Sequence, residues 1–143
     1  MVWNGFFWWT WIFNRFVFVS DNFSLMNIAI IGMGEVGSAH HEILSTKYKV
    51  WGLDIKPELN KVPSEEPLEI NAVLISIRHG EDFEKVVSET MTKYKTNMVD
   101  VLTTTPPGTA EKFGPMICRS STRGAHPHLV SGLQKIPKHI GGG

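Results

Sequence analysis

Three glycines at a fixed spacing and one acid carry most of the chemistry that this sequence announces. In the run IAIIGMGEVGSAH the glycines are Gly32, Gly34 and Gly37, and Asp54 lies 22 residues beyond the first of them. A glycine-rich turn lets a backbone pass close to a bulky anion, and the free N–H groups at a helix start attract phosphate charge. A Gly-x-Gly-x-x-Gly string alone is weak evidence, because glycine is common and such strings arise by chance. Here it follows an apolar β-branched run and opens a helical pattern, with an acid at the end of the next apolar run.

In that context each residue has a physical task. Gly32 permits a sharp turn, Gly34 lets the backbone approach a pyrophosphate, and Gly37 allows close packing of helix on strand. The amides around Glu35 and Val36 would meet the phosphate charge. Asp54 would accept hydrogen bonds from the ribose hydroxyls of an adenosine, and its charge repels a 2′-phosphate. NAD is therefore the expected cofactor, preferred over NADP, with Lys56 the one nearby cation that softens the preference. The expected cofactor-binding set is Gly32, Met33, Gly34, Glu35, Val36, Gly37, Asp54, Ile55, Ile77 and Thr103. The plainer alternative is that the glycines only join a strand to a helix while Asp54 caps a turn. An S-adenosylmethionine-binding domain also places a glycine loop after its first strand and an acid after its second, but the third glycine, inside the helix, argues against it.

Other polar residues say less. Arg78 follows the AVLISI run at the edge where open α/β sheets place ligands, and is a candidate contact for an anionic substrate, as is His126. His40 and His41 are adjacent on a helix and point apart, so they form no i, i+4 metal pair. His126 and His128 make an HxH pair with no Cys, Asp or Glu in the tail beside it, and no metal site is expected. The lone Cys118 excludes an internal disulfide framework, fits a cytoplasmic location, and reads as a small buried residue near a strand. Asp100, inside a strand pattern, is expected to cap or pair locally, because a partnerless buried carboxylate is costly.

The elements that must position these residues follow from the apolar pattern. Ile28 to Ile31, Tyr48 to Leu53, Ala72 to Ile77, Met98 to Leu102 and Pro115 to Arg119 read as strands, the first as an unbroken apolar run suited to a sheet buried on both faces and the third as another buried strand. Glu35 to about Thr46 and Glu81 to Tyr94 read as helices, the second with Phe83, Val86, Val87, Thr90, Met91 and Tyr94 on one face. Ile55 to Glu69 carries Pro57, Pro63 and Pro67 and is expected to be a loop. Thr103 to Thr109 is expected to be another, before a short helix to about Phe113. The alternation predicts an α/β fold, a Rossmann-like doubly wound parallel sheet, abbreviated after the second strand.

The chain has 143 residues, the length of one domain, with 14 basic and 14 acidic side chains. The zero formal charge gives no field for nucleic acid. A small-molecule partner and a homodimer are the expectations. The first 25 residues hold four of the five Trp and six of the eight Phe. They lack the basic start of a secretory signal and are interrupted by Asn14 and Arg15, so they fit neither a signal peptide nor a spanning helix. Membrane association would depend on that leader, and residues 1–25 are expected to stand outside the fold of 26–143.

With these residues assembled, the chain resembles the N-terminal cofactor domain of the UDP-glucose/GDP-mannose dehydrogenases and prephenate dehydrogenases over roughly Met26 to Gly143. Besides the IGMGEVG turn and Asp54, VDVLTTTPPGTAEKF is similar to the family's strand and STVPVGTT loop, which sets Thr103 and Thr104 beside the nicotinamide. RSSTRGAHPHL is similar to a family segment near the cleft and brings in Gly124, His126 and Pro127. The resemblance implies an oxidoreductase that moves hydride to or from a nicotinamide, with Thr104 shaping the site. It further implies a C-terminal helical domain for substrate chemistry, so residues 26–143 would be an incomplete enzyme. A non-catalytic dinucleotide-binding or sensory module is the competing reading.

Overall fold

The computed structural model describes residues 26–67, 69–96, 98–120, 122 and 127–135, and the backbone of 140–142. The aromatic leader, Gly124 and His126 lie outside the described residues. Six strands form one sheet: β1 (Asn27–Ile31), β2 (Lys49–Leu53), β3 (Ala72–Ile75), β4 (Val99–Val101), β5 (Ile117–Ser120) and β6 (Ile140–Gly142). Their order is β2-β1-β3-β4-β5-β6. The first five pair in parallel, and β6 adds an antiparallel edge on β5.

The strands are buried on both faces, and the alternation of their side chains builds two separate cores. Ile28 and Ile30 of β1, Val50 of β2 and Ala72 and Leu74 of β3 pack with Met33 and Leu44. On the opposite face Ala29, Trp51, Val73, Ile75, Val99 and Val101 pack with Phe83 and Val87. Leu44 belongs to helix α1 (Glu35–Leu44), and Phe83 and Val87 to helix α2 (Phe83–Tyr94). One helix thus covers each face, which makes this a Rossmann-like doubly wound α/β fold. A third helix, α3 (Leu129–Lys135), packs beside α1 and buries Leu133.

The expected helices and parallel strands are present, shifted by a few residues at their ends. The expected short helix near Phe113 is one 3₁₀ turn, Glu111–Phe113. Neither α3 nor β6 was expected from the sequence. Gly132 interrupts the α3 pattern and β6 is Ile-Gly-Gly, so tertiary pairing overrides weak local preference there.

The connection between β2 and β3 is short of regular structure, as expected. It contains one 3₁₀ turn, Pro57–Leu59. Beyond it the chain doubles back along the outer edge of β2: Gly52 and Lys61 exchange backbone hydrogen bonds of 2.8 and 2.9 Å. The Trp51 indole N–H reaches the Glu65 carbonyl at 3.2 Å, and Lys49 meets the Glu65 carboxylate at 2.7 Å. These contacts cover a strand edge that would otherwise expose unpaired backbone groups.

Candidate functional site

The strand order reverses at β1: the chain leaves β1 for β2 on one side and returns to β3 on the other. Ligands of open α/β sheets bind at such a switch point, outside the carboxyl ends of the strands. Here those ends carry Gly32, Asp54, Ser76, Ile77 and Thr103.

The three glycines are required for different reasons. Gly32 has φ +96°, and a Cβ there would stand 2.6 Å from the Ser76 carbonyl oxygen. Gly37 is buried in α1, where a Cβ would fall 1.8 Å from the Gly32 carbonyl oxygen. These two lock the turn against its own helix and the neighbouring strand. Gly34 is exposed, and a Cβ there would meet no heavy atom within 4 Å. The fold itself therefore places no contact at Gly34 that demands glycine, and the space beside it is open to a ligand.

Gly34 is the N-cap of α1, and no side chain caps the first turn. Ser38 closes the first helical bond to the Gly34 carbonyl at 2.9 Å, and its hydroxyl donates to the Met33 carbonyl at 2.9 Å. The start of α1 thus presents backbone amides with the positive end of the helix dipole behind them. Glu35 is exposed and Val36 half-buried against the core. The Val36 carbonyl accepts from Nδ1 of buried His40 at 2.8 Å, so that ring nitrogen carries the proton.

Asp54 follows β2 and reaches across to this turn. Its Oδ2 accepts the Met33 N–H at 2.7 Å, and Oδ1 accepts the Lys56 N–H at 3.0 Å. The backbone donors of Lys56 and then Met33 hold the carboxyl below its ordinary value of 3.8. A carboxylate oxygen has a second lone pair, so each can still accept from a ribose hydroxyl. Asn60, which the sequence did not single out, accepts the Asp54 N–H at 2.7 Å through its side chain and fixes the short loop carrying the acid.

Met33 lies on the inner side of the turn. Its side chain is 2% exposed and packs over Gly52, where a Cβ would stand 2.5 Å from the Met33 sulfur. Its amide is taken by Asp54. The residue shapes the turn from behind.

A cleft of about 430 Å³ opens beside the turn. The strand ends give it Ile31, Gly32, Asp54, Ile55 and Ile77. Helix α2 supplies further lining with Val86, Glu89, Thr90, Lys93 and Tyr94. The sequence pattern puts Val86, Thr90 and Tyr94 on one apolar face of the helix but carries no signal that this face borders a cleft. Ile55 is 95% exposed, an unusual state for an isoleucine and one that leaves its side chain at the cleft mouth.

The remaining candidates stand further along the sheet. The Thr103 hydroxyl donates to the Ile77 carbonyl and ties the loops after β3 and β4 together. Thr104 and Arg78 are exposed. His126 lies outside the described residues. No group of three or more His, Cys, Asp or Glu side chains that could hold a metal occurs among the described residues. Among them, too, no helix is long and apolar enough to cross a membrane.

Asp100 has a partner, as expected of a buried carboxylate, and that partner is distant in sequence. The carboxylate is buried in β4 and accepts at 2.5 Å from the hydroxyl of Ser120, on the neighbouring strand and 20 residues away. No protein-family model matches the chain, and no curated protein is significantly similar to it.

Proposed function

We propose that the chain binds NAD in the cleft between the glycine turn and α2, and that it is the cofactor domain of a dehydrogenase resembling the UDP-glucose/GDP-mannose and prephenate dehydrogenase group. One observation carries the reading: the Asp54 carboxylate accepts the Met33 N–H at 2.7 Å and so stands against the glycine turn. An acid that only capped its own loop would have no reason to reach across to β1. Its position puts a ribose acceptor beside a phosphate-attracting helix start, with a partly apolar cleft next to both.

The residues suit the cofactor. Gly34 leaves open space where a pyrophosphate would come close, and the uncapped first turn of α1 offers N–H donors to it. Asp54 would orient the adenosine ribose, while Ile55 and Val86 would cover the flat faces of the base. The negative charge of Asp54 disfavours a 2′-phosphate, which supports NAD over NADP. When bound, the nicotinamide supplies hydride transfer. The chain's own residues bind and orient, with the Thr103–Ile77 bond holding the loops and Thr104 and Arg78 exposed for an anionic substrate.

Calorimetric titration with NAD, NADP and S-adenosylmethionine tests the reading. Saturable binding of NAD, weaker binding of NADP and none of S-adenosylmethionine is the expected order. Tighter S-adenosylmethionine binding, or no NAD binding, overturns it. Turnover with a panel of 2-hydroxy acids, prephenate-like acids and sugar nucleotides then separates a dehydrogenase from a non-catalytic dinucleotide-binding module.

A further inference from the structure

Thr90 is 6% exposed as a residue and lines the cleft; its hydroxyl oxygen is not among the buried unpartnered atoms, and it makes no hydrogen bond among the described residues. A helical threonine commonly returns its hydroxyl to the carbonyl one turn back, as Thr92 does to Ser88 at 3.0 Å. Thr90 does not, which leaves its hydroxyl on the cleft wall with its hydrogen-bonding capacity open to a ligand or to water. Its immediate neighbours on α2 do not need it: Phe83 and Val87 fill the core, and Glu89 lies 3.9 Å from Lys85 at the surface.

We infer that the Thr90 hydroxyl reads the base of the bound nucleotide by a hydrogen bond to its C6 substituent. This rests on the nucleotide-binding reading above. Asp54 lines the cleft from the end of β2, and Thr90 lines it from α2. A ribose held at Asp54 directs its purine away from the strand ends, and the edge of a purine furthest from the sugar is the one that carries C6. In adenine that edge bears the exocyclic amino group, which donates to a hydroxyl oxygen. The rest of the cleft offers the ring apolar cover from Ile31, Val86 and Ile77. Thr90 is then the polar group that turns a general purine slot into one that selects for the substituent, since a ligand that displaces its water without replacing the hydrogen bond is penalised.

The test uses the full chain and the variant T90V, which keeps the side-chain shape and removes the hydroxyl. Two readouts are combined: thermal midpoint without nucleotide, and affinities for NAD, AMP and purine riboside monophosphate, which lacks any group at C6. In the wild type AMP should bind about tenfold tighter than purine riboside monophosphate. In T90V that preference should collapse and NAD affinity fall by a similar factor, while the midpoint stays level or rises. T90S, which restores a hydroxyl, should recover the preference. Survival of the AMP preference in T90V overturns the inference while leaving NAD binding at the cleft intact. Loss of binding to T90V together with a lowered midpoint also overturns it, because Thr90 would then serve the fold. If the wild type binds none of the three, the nucleotide site itself is overturned and Thr90 with it.

Discussion

Met33 and Asp54 are joined by a 2.7 Å hydrogen bond from the amide of one to the carboxylate of the other. The residue proposed to hold the ribose therefore also holds the turn proposed to hold the phosphates. Removing Asp54 should disturb both halves of the site together. Asp54→Ala is expected to weaken NAD binding at least about tenfold, the scale of one charge-assisted hydrogen bond. It should also narrow the gap to NADP, because the charge that repels a 2′-phosphate is gone. Calorimetry with both nucleotides measures the two effects at once, and unchanged affinity for each would remove Asp54 from the site.

The same carboxylate gives a pH dependence whose sign is fixed. Backbone donors from Lys56 and Met33 lower its pKa in the folded chain below the ordinary 3.8. A depressed carboxyl stabilises the fold at pH above its unfolded value and loses that contribution as pH falls through its folded value. The difference in thermal midpoint between the wild type and Asp54→Ala should thus be full near pH 6 and shrink below pH of about 3.8. A difference that stays constant to pH of about 2.5 would mean that ionisation of Asp54 contributes nothing to stability.

Gly34 and Gly37 should separate binding from folding. A Cβ at Gly37 lies 1.8 Å from the Gly32 carbonyl oxygen, a backbone atom with nowhere to move. Gly37→Ala is expected to cost about 3 kcal/mol or more, or to prevent folding. A Cβ at Gly34 meets nothing, and the residue has ordinary extended geometry at φ −67° and ψ −164°. Gly34→Ala should stay within about 1 kcal/mol of the wild type, the range of an N-cap exchange. Its NAD affinity should nevertheless fall, because the methyl group occupies the space left for the pyrophosphate. Denaturant unfolding and nucleotide titration of both variants check this, and retention of NAD binding by Gly34→Ala would displace the phosphates from the turn.

The parts of this arrangement that could be seen in the sequence are those written in local pattern. Ile28 and Ile30 face one core and Ala29 the other, as an unbroken apolar run before a glycine turn implies. Gly32 and Gly37 do what their spacing suggests. What escaped is what depends on a distant neighbour. Thr90 reads as one more residue on the buried face of α2, and its place in the same cleft as Asp54 emerges only when β2 and α2 flank that cleft. The inward packing of the Met33 side chain depends on Gly52, 19 residues away, where a Cβ would stand 2.5 Å from the Met33 sulfur, and nothing in the local string signals it. Helix α3 carries a glycine in its centre and depends on α1 for its burial, so no local signal marks it.

The Asp100 and Ser120 pair gives the last prediction, one that concerns the fold apart from the cleft. Asp100 is 6% exposed and Ser120 1%, and the serine hydroxyl donates to the carboxylate across the β4–β5 boundary. Their strands are in register with Asp100 opposite Cys118, which places Ser120 one pleat further on the same side. A buried carboxylate that loses a donor keeps its desolvation cost without that compensation, so Ser120→Ala should destabilise the fold by about 1–3 kcal/mol. Asp100→Ala in the same background should cost less than the sum of the two single changes, because the second removes the group the first had stranded. A double-mutant cycle by denaturant unfolding reads that coupling, with NAD affinity of the folded fraction unchanged throughout. Strict additivity would show that the hydroxyl and the carboxylate share no energy, and that the β4–β5 pairing is held by its backbone ladder and apolar neighbours alone.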